Sequence, residues 1–260
     1  MDTVTPVQYG SVLSVAIAIL VLTGIAVGVM TLAGLRMRLD YLGAITRAIV
    51  QLTLVAIVIA WIFANPEGTI LYFAVMLVAA TATSVRRVGC GWRNALLVGG
   101  PIALAATVAV APVVVTGALP LSTQAVVPFA AQVIGGAMTA VSLTGSYALA
   151  TARKEWPLVE GWLAIGATPR QAGRDIARES AQRSLTPGFD QTRSAGLVVL
   201  PGAFVGMLLG GATPAEAAQI QLLVLASLAV AAVVAAAGTG WSLAPWIGGV
   251  DRTDTEHRAN

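Results

Sequence analysis

Seven runs of apolar residues, each bounded by charges or by proline and glycine, alternate with short polar stretches along the chain. They fall at about Val12 to Leu35, Ala44 to Phe63, Thr69 to Val85, Ala95 to Leu119, Ala125 to Thr151, Ala195 to Gly210 and Ala217 to Gly240. A helix needs roughly 20 mainly apolar residues to cross about 30 Å of hydrocarbon. The pattern therefore predicts an all-α polytopic membrane protein of about seven transmembrane helices. The third and sixth runs are short enough to need tilt or a thinned bilayer. The runs make one membrane domain over residues 1–240, with a polar loop inside it at 152–193 and a polar tail at 241–260.

Charge decides the orientation. Basic residues accumulate in short cytoplasmic loops, and all 15 here can be placed there if the N-terminus lies outside and the C-terminus in the cytoplasm. Arg36, Arg38 and Arg47 then flank the first inner loop, and Arg86, Arg87 and Arg93 fill the second. Arg153, Lys154, Arg170, Arg174, Arg178, Arg183 and Arg193 belong to the third, and Arg252 and Arg258 to the tail. Only Asp2, Glu67 and Glu216 mark the outer segments, which leaves no room for an external binding domain. Asp2 precedes the first run and Arg36 and Arg38 follow it, the reverse of a cleaved signal peptide, so the first run is expected to stay as a span.

Composition adds mainly exclusions. At 57% hydrophobic and 10% charged residues, with a mean hydropathy of +0.83, the chain is too apolar for a soluble domain. Its net charge of +3 is accounted for by the helix-orienting basic residues and does not call for nucleic acid. Cys90 cannot form an internal disulfide and His257 sits in the tail, so neither suggests a metal cage.

The one sizeable polar segment, about Ala152 to Arg193, holds the most informative local signals. Glu160-Gly161-Trp162-Leu163-Ala164-Ile165-Gly166 reads as a helix ending at a glycine. Thr168-Pro169-Arg170-Gln171 then reads as a capping box with proline in the first helical position. A helix, a sharp bend and a second helix follow, the second expected to run to about Ser184 and to stop at Thr186-Pro187-Gly188. One reading is a surface helix with its arginines toward lipid phosphates. The other rests on a glutamate six residues before a glycine, followed by Ala167-Thr168-Pro169, a spacing similar to the cytoplasmic EAA loop by which ABC permeases dock on their ATPase. Glu160, Gly166, Ala167, Thr168, Pro169, Arg170, Gln171 and Arg174 would then form the docking segment, with Asp190 relaying its movement to the sixth span.

No power source is visible within the chain. The only lysine, Lys154, follows Arg153 and belongs to no phosphate-binding loop. None of the seven runs contains an acidic residue or histidine of the kind an ion-coupled carrier uses. Nor is there a His-Glu-x-x-His motif or a serine with a nearby histidine base, so the chain is read as non-catalytic. An external motor fits these absences, with a channel, an ion-coupled carrier or a scaffold as alternatives.

Polar groups in or beside spans should face protein, water or a pathway. Gln51, Gln132, Ser142 and Gln221 are candidates for a translocation pathway, against interhelical hydrogen bonding; Thr144 and Gln219 belong to the same set. Met138 and Met207 are soft potential metal contacts, against ordinary packing. Pro201 is expected to break the sixth span in mid-membrane and allow a hinge.

Several segments together resemble the FetB-type iron-export permeases, a family that includes plant aluminium-tolerance half transporters. Arg47-Ala48-Ile49-Val50-Gln51-Leu52 is similar to the family's R-A-x-x-Q-L. Val127-Pro128 with Gly135, Ala137-Met138 and Ala140-Val141 resembles its fifth-span pattern. Leu163-Ala164-Ile165-Gly166-Ala167-Thr168-Pro169-Arg170-Gln171-Ala172 resembles L-x-L-G-A-T-P-x-Q-A, and Leu200-Pro201-Gly202 follows in family order. Gly136 stands where the family has asparagine, and Ala203 and Phe204 where it has methionines. The resemblance implies a multi-pass permease of the cytoplasmic membrane that forms a homodimer and works with a separate ATP-binding subunit. That subunit would hold the ATP and Mg, this chain no cofactor of its own, and the cargo would be iron or another metal leaving the cytoplasm, or a different small substrate.

Overall fold

The computed structural model of the chain describes residues 11–35 and 37–249. Asp2, Arg36, Arg252, His257 and Arg258, used above for orientation or excluded as ligands, lie outside the described residues. The described residues are helical: α1 Val12–Leu32, α2 Arg38–Ala64, α3 Thr69–Val88, α4 Ala95–Val115, α5 Thr123–Lys154, α6 Trp156–Ala164, α7 Pro169–Ser194, α8 Gly202–Leu209 and α9 Pro214–Gly249. Six stretches, Val12–Leu32, Leu39–Ala64, Pro66–Val88, Trp92–Val115, Thr123–Lys154 and Pro214–Gly248, are long and apolar enough to cross a membrane. They correspond to six of the seven apolar runs.

The sixth run departs from expectation. Only Gly202–Leu209 is helical within it, and Ala195 to Pro201 is irregular, closed by backbone hydrogen bonds such as Gly196 N–H to the Val199 carbonyl at 2.9 Å. Gly196 lies at φ +84°, which favours glycine, and Pro201 cannot donate to a preceding turn. Pro201 therefore stands at the N-cap of α8 and does not kink a continuous span. The polar loop departs as well. Its second helix, α7, passes through Pro187 and ends at Ser194, about ten residues beyond the expected stop. Proline removes one ladder bond, and the helix continues through it over residues 186–193, which are exposed. α9 likewise continues past residue 240 to Gly249, into what the sequence suggests is a tail.

The chain divides into two compact units, one up to Glu67 and one from Gly68 onward. In the first, α1 buries no residue and exposes leucine, isoleucine and valine on all sides, as expected of a helix solvated by lipid. In the second, α9 packs against α7, α5, α4 and α8, and α5 also packs against α3, α4 and α7.

Small residues set these crossings. A Cβ on Gly173 would run into the Ala244 carbonyl, one on Gly248 into the Pro169 carbonyl, and one on Gly240 would lie 3.3 Å from the Ala177 oxygen. Four residues forward on α7 thus match four back on α9, so the two run antiparallel with backbones nearly touching. α4 meets α9 in the same way, with Gly238 against Pro101 and the Ser242 hydroxyl donating to the Leu97 carbonyl at 2.8 Å. At Gly136, where the resembling family carries asparagine, a Cβ would lie 2.7 Å from a Leu228 methyl. Buried hydroxyls tie further pairs: Ser84 with Ser142 at 3.1 Å, and Thr144 donating to Ser184 at 2.8 Å.

The start of α7 is closed by the capping box read from the sequence. The Thr168 hydroxyl accepts from the Gln171 N–H at 3.3 Å, and the Gln171 side-chain oxygen accepts from the Thr168 N–H at 2.8 Å. The same arrangement starts α9, where Thr213 and Glu216 exchange the equivalent bonds around Pro214.

Two outcomes are expected of these local features. Gly173→Ala should lower the thermal unfolding midpoint of the purified protein in detergent, since overpacking costs about 1–3 kcal/mol. Gly135→Ala, with nothing within 4 Å of the new carbon, should leave it unchanged or raise it. Thr168→Ala should remove about 1 kcal/mol of capping, seen as faster hydrogen exchange at the Gln171 amide.

Candidate functional site

The site grows from the bend between α6 and α7. α6 closes at Ile165, and Gly166 turns the chain at φ +89°. A side chain there would be strained, which explains the glycine between an apolar helix and a capped polar one. Trp162 and Ile165 remain exposed at the bend, and Ile165 is 76% exposed. They line, with Gly166, Ala167, Gln171, Arg174 and Asp175, an open crook of about 450 Å³ between the two helices. The spacing in the sequence thus brings Gly166, Ala167, Gln171 and Arg174 to one place. Glu160 is exposed on α6 and lines no part of the crook.

The bend sits at the end of α9, because Pro169 abuts Gly248. From there α7, 26 residues or about 39 Å long, runs back beside α9. Its packed face carries Ala172, Gly173, Ile176, Ala177, Ser180 and Ser184. One flank bears Arg170, Arg174 and Arg178 at four-residue spacing. The other bears Asp175, Glu179, Arg183, Asp190 and Arg193, with ion pairs from Arg183 to Glu179 at 3.1 Å and from Arg193 to Asp190 at 3.2 Å. Asp190 thus finds its ion partner within its own helix. Asp190 lies about 30 Å along the helix from Arg170, away from the bend.

The pathway candidates scatter. Gln132 and Met207 come together in an open cavity of about 1080 Å³ bounded by α5, α8 and α9, where Gln124, Glu216 and Gln219 add oxygen donors. Met138 is half-buried against the core, and Ser142 is consumed by its bond to Ser84. Gln221 is buried with its side-chain oxygen lacking a partner among the described residues. Pro201 caps α8, and Gln51 is exposed on α2 in the other unit. Among the described residues no three histidine, cysteine or acidic groups are close enough together to hold a metal ion.

Two features of the site escape a reading of the sequence. Trp241 stacks under Arg170, whose guanidinium carbon is 4.3 Å from the ring centroid; an aromatic just past the last apolar run is the signal that could have found it. The contact glycines Gly173, Gly240 and Gly248 are the other, and the eight-residue spacing of the last two was the available hint.

The chain matches the Uncharacterised protein family (UPF0014) over residues 12–244. It is 32% identical over 194 residues to Protein ALUMINUM SENSITIVE 3 of Arabidopsis thaliana, covering 74% of this chain and 71% of the plant protein. Over 197 residues it is 32% identical to the UPF0014 membrane protein STAR2 of Oryza sativa subsp. japonica, covering 75% and 69%. The Probable iron export permease protein FetB of Escherichia coli (strain K12) is 28% identical over 187 residues, covering 71% and 72%. No solved structure gave a significant match. The family match takes in the first five candidate spans, the bend, α7 and the last span up to Ala244, and the chain is a multi-pass membrane protein belonging to the UPF0014 family.

Proposed function

We propose that this chain is the membrane-spanning subunit of an ABC-type exporter. In this reading two copies pair, and each is gripped at the α6–α7 bend by a separate subunit that binds ATP and Mg. The observation that carries the proposal is the joint between the bend and α9. Pro169, Gly173 and Ala177 are seated so closely on Gly248, Ala244 and Gly240 that movement at the bend must pass into the longest apolar helix. A capped, glycine-hinged handle fused to a span is what a motor acting from outside the bilayer requires. Closure of two ATP-loaded subunits would swing the handles, rock the two helix sets and expose a central cavity to the far side; hydrolysis would reset them.

The bend and the C-terminal end of α9 lie together because Pro169 touches Gly248, and Arg170 and Arg174 at that end support a cytoplasmic side in this reading. Arg183, Glu179, Asp190 and Arg193 run back beside α9 and cannot face acyl chains, so this flank of α7 lines water or the second copy. The cargo is taken to be iron or another metal. The names of the bacterial relative and of the aluminium-sensitivity protein support a metal. Gln132, Gln124, Gln219 and Met207 offer weak oxygen and thioether ligands of the kind a passing ion can leave.

Gly166→Val should lower transport by the reconstituted complex at least tenfold while leaving assembly and much of the ATP hydrolysis intact. It would be measured as metal efflux and phosphate release from the same vesicles. Unchanged transport per ATP would count against the bend as the point of coupling.

A further inference from the structure

α7 and α9 enclose a second groove, of about 790 Å³, on the flank of α7 away from its ion pairs. We propose that this groove binds one anionic phospholipid, its phosphate held by Arg170, Arg174 and Arg178 and an acyl chain laid along α9.

The charge is the first observation. Arg170, Arg174 and Arg178 make no ion pair among the described residues, while Glu179 and Asp190 on the opposite flank are already paired with Arg183 and Arg193. Three guanidinium groups on successive turns, none in an ion pair among the described residues, favour an anion, and their planar donors suit phosphate oxygens. The walls are the second. Below the arginines the groove is floored by Val233, Ala237, Gly240 and Ala244 of α9 and closed by Ala181 and Leu185 of α7. A free phosphate ion or an acidic soluble protein has no use for such a floor.

The order of the two along the groove is the third. In the antiparallel register, Arg170 and Arg174 lie at the end of α9, and Leu185 lies opposite Val233, further along the apolar helix. The groove is therefore cationic where a headgroup sits and apolar where a chain runs. Trp241, 69% exposed beneath Arg170, has the amphipathic ring typical of that boundary. Basic pockets between membrane helices take anionic headgroups on the same physical grounds. A second copy of the chain fits less well, since a two-fold contact centred here would appose the same unpaired arginines. The crook shares Gln171 and Arg174 with the groove, but Trp162 and Ile165 line the crook alone and stay free when a lipid fills the groove.

Native mass spectrometry of the full chain, released from detergent after exchange with phosphatidylglycerol or with phosphatidylcholine of matched chains, tests this. One phosphatidylglycerol should be retained per chain in preference to phosphatidylcholine. Arg174→Gln with Arg178→Gln should lower that retention about twenty-five-fold, at roughly fivefold per arginine. Ala237→Phe, at an exposed position that fills the groove and leaves every arginine in place, should lower it as well. Excess inorganic phosphate should not displace the lipid. Equal retention of both lipids, or retention indifferent to both variants, would overturn the proposal. So would competition by phosphate with no effect of Ala237→Phe, which would mark a bare anion site. A dimer lost in the arginine variant whatever the lipid would mark an interface between copies and overturn it too.

Discussion

The close contact of α7 with α9 is the constraint on which the rest depends. Within a bilayer, apolar side chains gain little from meeting one another, since lipid is as apolar as they are, and helices associate where small residues allow backbones to approach. Gly173, Gly240 and Gly248 supply that approach and fix a register that any larger residue would disturb. It holds the chain's most polar long helix against one of its most apolar. The bend, the two flanks of α7 and the groove beside α9 are all positioned by it.

A polar helix packed along an apolar one must divide its surface. α7 gives alanines, a glycine and serines to packing, one flank to ion pairs, and the other to arginines that make no ion pair among the described residues, above an apolar floor. Each face answers a different solvent. In the proposed reading the handle and the lipid groove are carried by one helix and share Gln171, Arg170 and Arg174 near the bend.

Much of this was legible in the residues. The apolar runs corresponding to α1 to α5 and to α9 declare themselves by length, because hydropathy is a direct consequence of what the bilayer demands. The bend was legible for a different reason: Gly166 and the Thr168 to Gln171 box are local, with partners within three residues. What failed was non-local. Pro187 looks like a stop, yet α7 runs on through it to Ser194. The run from Ala195 to Gly210 looks like a span by composition, yet Gly196 and Pro201 divide it into an irregular stretch and a two-turn helix. Gln132 and Met207 could be nominated as polar or soft groups in spans, but their meeting with Gln124 and Gln219 depends on the fold.

The central claim is that the α6–α7 bend is a cytoplasmic handle for a separate motor. Site-directed labelling of Ile165→Cys in intact cells, with buried Cys90 replaced by serine, tests it most directly. The account predicts protection from a membrane-impermeant thiol reagent added outside, and cross-linking from inside to an ATP-binding subunit. Reaction with the external reagent, with no ATP-binding subunit captured, would contradict it.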